Sequence, residues 1–138
     1  MTVKQKSTQL PWRLILILGS FALIRPIIKI FGDIFGYSVP PIATVLITVA
    51  IAIIWIGVII HLKVKKPMVV LAMSGVVYAV LSIAMAVLIQ LLAPDLGDEK
   101  ASVAVLLTAG LIATTSFNFV YGAFLGLIAS MIQKISRR

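Results

Sequence analysis

Four long apolar runs, at about residues 11–31, 41–61, 67–92 and 102–132, alternate with short polar segments along the chain. About 20 helical residues cover the roughly 30 Å hydrocarbon core of a bilayer, so each run is long enough to span one. The pattern predicts an all-α integral membrane four-helix bundle with short loops, a single transmembrane domain over residues 1–138.

Prolines and charges mark the ends of these runs. Pro40 and Pro41 open the second, where a missing N–H does a helix no harm, and a basic turn at 63–66 closes it. Pro67 opens the third run, and Pro94 and Gly97 break the pattern after it. Asp98 and Glu99 stand where carboxylates favour the start of the fourth helix. That last run exceeds one bilayer thickness, so its helix is predicted to tilt, to break, or to continue into the cytoplasm at 133–138. Pro26 removes a backbone hydrogen bond within the first run and predicts a kink. A cleavable signal peptide is the rival reading of this first run, but three later spans hold the chain in the membrane in either case.

Basic residues fall on alternate connections. Lys4, Lys6 and Arg13, then Lys63, Lys65 and Lys66, then Lys134, Arg137 and Arg138 share one side of a four-span topology. The other side holds all four acids, Asp33, Asp95, Asp98 and Glu99, with Arg25, Lys29 and Lys100 as its cations. The positive-inside bias therefore predicts both termini on the cytoplasmic side. It makes the chain a multi-pass protein of the cell (plasma) membrane, and the compact size without eukaryotic targeting signals suggests a bacterial source.

Composition bears this out: 62% of residues are hydrophobic and 12% charged, about half the charge of an ordinary soluble domain. The net charge of +8 raises nucleic-acid binding, but its cations lie between apolar runs and not on a polar domain, so no nucleic-acid partner is expected. They are read as topology signals and as contacts to anionic headgroups of the lipid bilayer, with Lys63, Lys65 and Lys66 as the candidate cytoplasmic lipid contact. With no cysteine and a lone histidine, His61, neither a metal site nor a cofactor is expected.

Two constellations stand out against the apolar background. Arg25, Lys29 and Asp33 are four residues apart and stack along one helix face, with Gly32 and Gly36 near it and isoleucines and phenylalanines opposite. One reading bends this amphipathic end into the interface, where Arg25 and Lys29 snorkel to phosphates while Lys29 pairs with Asp33. The other places them in a polar cavity, as a contact for an anion, a lipid headgroup or a partner carboxylate.

The second constellation is a stripe of small and polar residues on the fourth helix, Gly110, Thr114, Asn118, Gly122, Gly126 and Ser130, recurring every fourth position. Gly122 and Gly126 form a Gly-x-x-x-Gly pair that permits close backbone approach, and Thr114 and Asn118 can hydrogen-bond. The stripe is expected to be a helix–helix interface or the wall of a pore. Ser74, Gly75, Tyr78, Ala79, Ser82 and Ala86 form a docking side on the third helix, Trp12, Tyr37 and His61 act as interfacial anchors, and Trp55 packs inside.

No acid, base and nucleophile converge, since His61 and the acids lie on opposite sides of the bilayer, so no catalytic residues are assigned and the chain is not expected to be an enzyme. Proton coupling is disfavoured too, because no carboxylate lies in the interior of a span. Small multidrug exporters and fluoride channels are similar in size and hydropathy. The glutamate that the exporters carry in their first helix is missing here, and Asn118 is followed by Phe119, Val120, Tyr121 and Gly122, not by the fluoride-channel pattern. The likeness is one of architecture.

The leading functional expectation is a non-enzymatic accessory, scaffold or regulatory subunit that joins a larger membrane protein, or a second copy of itself, through the fourth helix and Arg25 and Lys29. The alternative is a homo-oligomeric channel or small transporter with residues 114–121 along its path and an anion-attracting Arg25/Lys29 site. A third reading is lipid binding through the basic cytoplasmic patches.

Overall fold

Proline and glycine decide most of the boundaries that hydropathy leaves open. A computed structural model of the chain describes residues 11–96 and 102–136, so Lys4, Lys6, Asp98, Glu99, Lys100, Arg137 and Arg138 lie outside the described residues. The first span is divided into α1 (Trp12–Phe21) and α2 (Ile24–Ile34). α3 (Pro41–His61) and α4 (Pro67–Leu92) are unbroken, each with proline in its first turn. A 3₁₀ turn, Pro94–Leu96, follows. The last span begins with α5 (Val103–Val105), widens into a π-helical turn at Leu106–Gly110, and continues as α6 (Leu111–Ser136). Four helical segments are long and apolar enough to cross a membrane, and no strand occurs among the described residues.

The break in the first span lies one turn before Pro26, for a reason that belongs to proline. In an unbroken helix residue 26 donates to the carbonyl of Ala22; proline has no such proton, and its ring crowds that carbonyl. The chain tightens instead, with Leu23 N–H donating to Ser20 O at 3.1 Å and Arg25 N–H to Ala22 O at 3.3 Å. Pro26→Ala is expected to join α1 to α2. The distance between spin labels at residues 17 and 35 should then lengthen toward the ~27 Å rise of a continuous helix, whereas an unchanged distance would assign the break to something other than Pro26.

Close backbone contact holds the bundle together. In lipid there is little hydrophobic drive between helices, so dispersion between tightly apposed surfaces carries the association. α4 and α6 cross at their glycines: a Cβ on Gly75 would collide with the Asn118 backbone, one on Gly122 with the Leu71 carbonyl, and one on Gly126 with Met68 Cα. α1 lies on α4 through Gly19, where an added Cβ would stand 2.7 Å from Val77 Cγ1 and 3.1 Å from the Ser74 carbonyl. α3 closes the ring by packing on α6 and donating the Trp55 indole N–H to Leu18 O of α1 at 3.1 Å.

These contacts make one continuous core in the half of the bundle nearest the termini. Ile15, Leu18, Ile51, Trp55, Ile59, Val70, Leu71, Leu125 and Ala129 are all buried in it. At the same end, Gln133 of α6 donates to Ile59 O at 3.1 Å. Apolar side chains left outside, such as Leu46, Ile53 and Phe124, form the surface that meets hydrocarbon.

Two helix ends use the same device. After α2, Gly36 takes φ +69°, Gly36 N–H reaches Asp33 O at 3.2 Å, and Tyr37 N–H reaches Gly32 O at 2.7 Å. After α3, Lys63 takes φ +52°, with Lys63 N–H to Ile60 O and Val64 N–H to Ile59 O. Both are Schellman closures, in which a left-handed residue returns the chain and satisfies the last carbonyls.

Candidate functional site: a charged cavity in one half of the bundle

Beyond Ala22 the packing changes character. α1 is seated against α4, but none of the residues of α2 is buried, and α2 makes only sparse contact with α3 and with the 3₁₀ turn. The half of the bundle away from the termini therefore opens into a cavity of about 1030 Å³. Its wall is shared by Arg25, Lys29 and Asp33 of α2, the segment 36–39, Thr44 and Ile47 of α3, Tyr78 of α4, Asp95, and Thr114, Phe117 and Asn118 of α6. The core just described fills the other half of the bundle.

The four-residue spacing places all three charged residues of α2 on this wall. Arg25 lies innermost, one turn past the break, and Asp33 is beside the outer end of the helix. Arg25 is within electrostatic reach of Tyr121 on α6, whose ring stacks on Phe117 at 6.3 Å between centroids. Among the described residues no carboxylate is paired with Arg25. Gly32 has a positional reason, since a Cβ there would stand 2.7 Å from the Tyr37 carbonyl and push the 36–39 segment off the cavity rim.

The stripe on the fourth span divides among several surroundings. Four residues advance a helix by about 40° beyond one turn, so a period-four stripe precesses by about 200° from Gly110 to Ser130 and cannot face one neighbour throughout. Gly122 and Gly126 meet α4; Asn118 meets Gly75 through its backbone and the cavity on its other side. Thr114 lines the cavity, Gly110 lies within the π turn where an added Cβ would stand 3.8 Å from Ile83 Cδ1, and Ser130 is exposed. The Asn118 amide turns back on its own helix, donating to Thr114 O at 2.8 Å. Thr115 Oγ1 is buried without a hydrogen-bond partner among the described residues.

The basic turn is elsewhere. Lys63, Lys65 and Lys66 are exposed at the terminal end, beside exposed Arg13 and Lys134 at that same end of the bundle. His61 is exposed there as well, and Trp12 is half-exposed.

Four cavity residues escape sequence reasoning. Thr44 sits in a helix that is apolar on nearly every side, Tyr78 reads as part of a docking side, Tyr37 as an interfacial anchor, and Asp95 as part of a loop. Tyr78 belongs to the side of α4 expected to dock on the fourth helix, yet it turns to the cavity while Gly75 makes the close contact.

The fold and the site define an integral membrane helical bundle of four spans with a charged cavity in one half. No protein-family model matches the chain, and neither a curated protein nor a solved structure matches it with significance.

Proposed function

We propose that this protein is a non-enzymatic accessory component of the membrane that acts by holding an anionic group in the cavity around Arg25 and Lys29. One observation carries the reading: Arg25 stands on the inner wall of a large cavity with no carboxylate paired to it among the described residues. A cation at membrane depth is costly unless something compensates it, and a guanidinium fork presents five donors that match a carboxylate or a phosphate.

Two features favour ligand capture over the other readings. The Gly122 and Gly126 face of α6 is already taken up by α4, so it offers little to a second protein. The packed core between the cavity and the terminal end gives a single chain no evident passage, which weighs against a channel.

Arg25→Gln is the direct test. Hydrogen bonds to charged groups contribute about 1.5–3 kcal/mol, so retention of phosphatidylglycerol in detergent should weaken by roughly tenfold or more. Lys29→Gln should weaken it less. Native mass spectrometry reads the bound lipid and size-exclusion elution checks the fold; equal occupancy in both variants and the parent would remove the proposal.

A further inference from the structure

The α6 wall of the cavity ends on one side against a helix and on the other against lipid. Successive residues turn by about 100° around a helix, which sets Asn118, Thr114, Phe117 and Ala113 in order across the wall, with Val120 next beyond Ala113. At the first edge Asn118 is seated on Gly75 of α4. At the second, Ala113 and Phe117 line the cavity and are exposed, and Val120, outside the lining, is 66% exposed. α2 repeats the arrangement: Ile28 lines the cavity, and Phe35 and Ile24, which follow it around the helix, are both exposed. The cavity thus has two apolar borders that run onto the outer surface of the bundle. Their depth follows from the Asn118–Gly75 crossing, about 12 Å from one end of α4 and about 26 Å from the other, which lies within the hydrocarbon.

The cation that meets a ligand at this depth is Arg25. Lys29 is already engaged within the chain, and Asp33 is two turns farther out, about 12 Å. Arg25 also stands beyond the reach of Asp98 and Glu99. Five residues tied at Leu96 and Ser102 extend at most about 11 Å from either end, whereas Tyr121, the neighbour of Arg25, is roughly 28 Å along the last span from Ser102.

A guanidinium beside an apolar border complements a molecule that is acidic at one end and hydrocarbon at the other. A free anion would use Arg25 and leave Ile28 and Phe117 without a polar partner to offer it. A lipid keeps its chain in hydrocarbon while its head moves from the interface to Arg25. Resting on the anion-binding reading above, we infer that the anion is borne by an acidic membrane lipid that enters from the side: its head lies at Arg25, and its acyl chain passes over Ile28 and Phe117 into the bilayer. Arg25 selects acidic heads over neutral ones, and the apolar borders select molecules that carry a chain.

The test uses full-length protein in phosphatidylcholine liposomes that hold a small, fixed fraction of phosphatidylglycerol with a diazirine in its acyl chain; peptide mass spectrometry locates the photolabelled residues. Ile28 and Phe117 should be labelled, and Arg25→Gln should lower that labelling about tenfold, the scale of one charge-assisted pair. Labelling of Leu46 and Ile53, on the outer surface, should not change. Replacing phosphatidylcholine with unlabelled phosphatidylglycerol should likewise suppress labelling at Ile28 and Phe117 alone, a readout that needs no variant. Millimolar glycerol phosphate separates the two sources of the chemistry: unchanged labelling supports the lipid, and suppression at Ile28 and Phe117 would assign the free phosphate and overturn the lipid form. Labelling there that ignores both Arg25→Gln and added phosphatidylglycerol, with lipid retention in detergent still lost in Arg25→Gln, would overturn side entry and leave the anion site standing. Unchanged labelling together with unchanged retention in Arg25→Gln would overturn both.

Discussion

Gly122→Val should separate α4 from α6 and leave little folded protein. The Cβ of any residue at 122 collides with the Leu71 carbonyl, and the obstruction is backbone, which cannot rotate away as a side chain does. Overpacking a fitted core costs about 1–3 kcal/mol, a range that suits Gly122→Ala; the β-branched side chain adds two methyl groups and exceeds it. Gly57 provides the control, because a Cβ there meets nothing within 4 Å. Gly57→Ala should be neutral or stabilising by roughly 0.5–1 kcal/mol through helix propensity. Thermal unfolding in mild detergent measures both, and equal midpoints for Gly122→Ala and Gly57→Ala would show that the close crossing does not exist.

Trp55→Ala is the second large effect. Trp55 is 2% exposed, packs at the centre of the core and ties α3 to α1 through its indole N–H. Truncating a core tryptophan in a water-soluble protein costs about 3–5 kcal/mol. In lipid the transfer part of that cost shrinks because hydrocarbon surrounds the separated helices too. The vacated volume and the lost hydrogen bond remain, together about 2 kcal/mol. Trp55→Phe keeps most of the volume and should lose only the hydrogen bond, about 0.6–1 kcal/mol. Equilibrium unfolding in a denaturing detergent distinguishes the two, and equal losses would mean that volume at this position contributes nothing.

The spans were legible because length and apolarity alone decide what crosses a bilayer, and neither depends on which helix meets which. Arg25, Lys29 and Asp33 were legible as a face because their spacing is local to one helix. Spacing alone left open whether that face lines a cavity or bends into the interface. The cavity exists because Pro26 breaks the helix one turn upstream, at Ala22, and because α2 then parts from α4 while α1 stays against it. Thr44 gave no signal of its own and Tyr78 read only as part of a docking side, since a polar atom in an apolar helix looks the same whether it faces a neighbour or a void. The stripe on the fourth helix is visible as a pattern, and its members divide among α4, the cavity and the exposed surface because a period of four drifts around a helix of 3.6 residues per turn. The π turn at Leu106–Gly110 had no sequence signature.

The division between a packed half and an open half also decides where a membrane voltage acts. Solution entering the cavity would carry the bulk potential of the side it opens to toward Arg25 and concentrate the drop across the apolar layer of Ile15, Trp55, Leu71 and Leu125. One elementary charge moved through that layer exchanges about 2.3 kcal/mol with the field per 100 mV. A charge that travels only from solution to Arg25 crosses little of it. On the proposed reading, occupancy of the site should follow ligand supply on its open side and change little with membrane voltage.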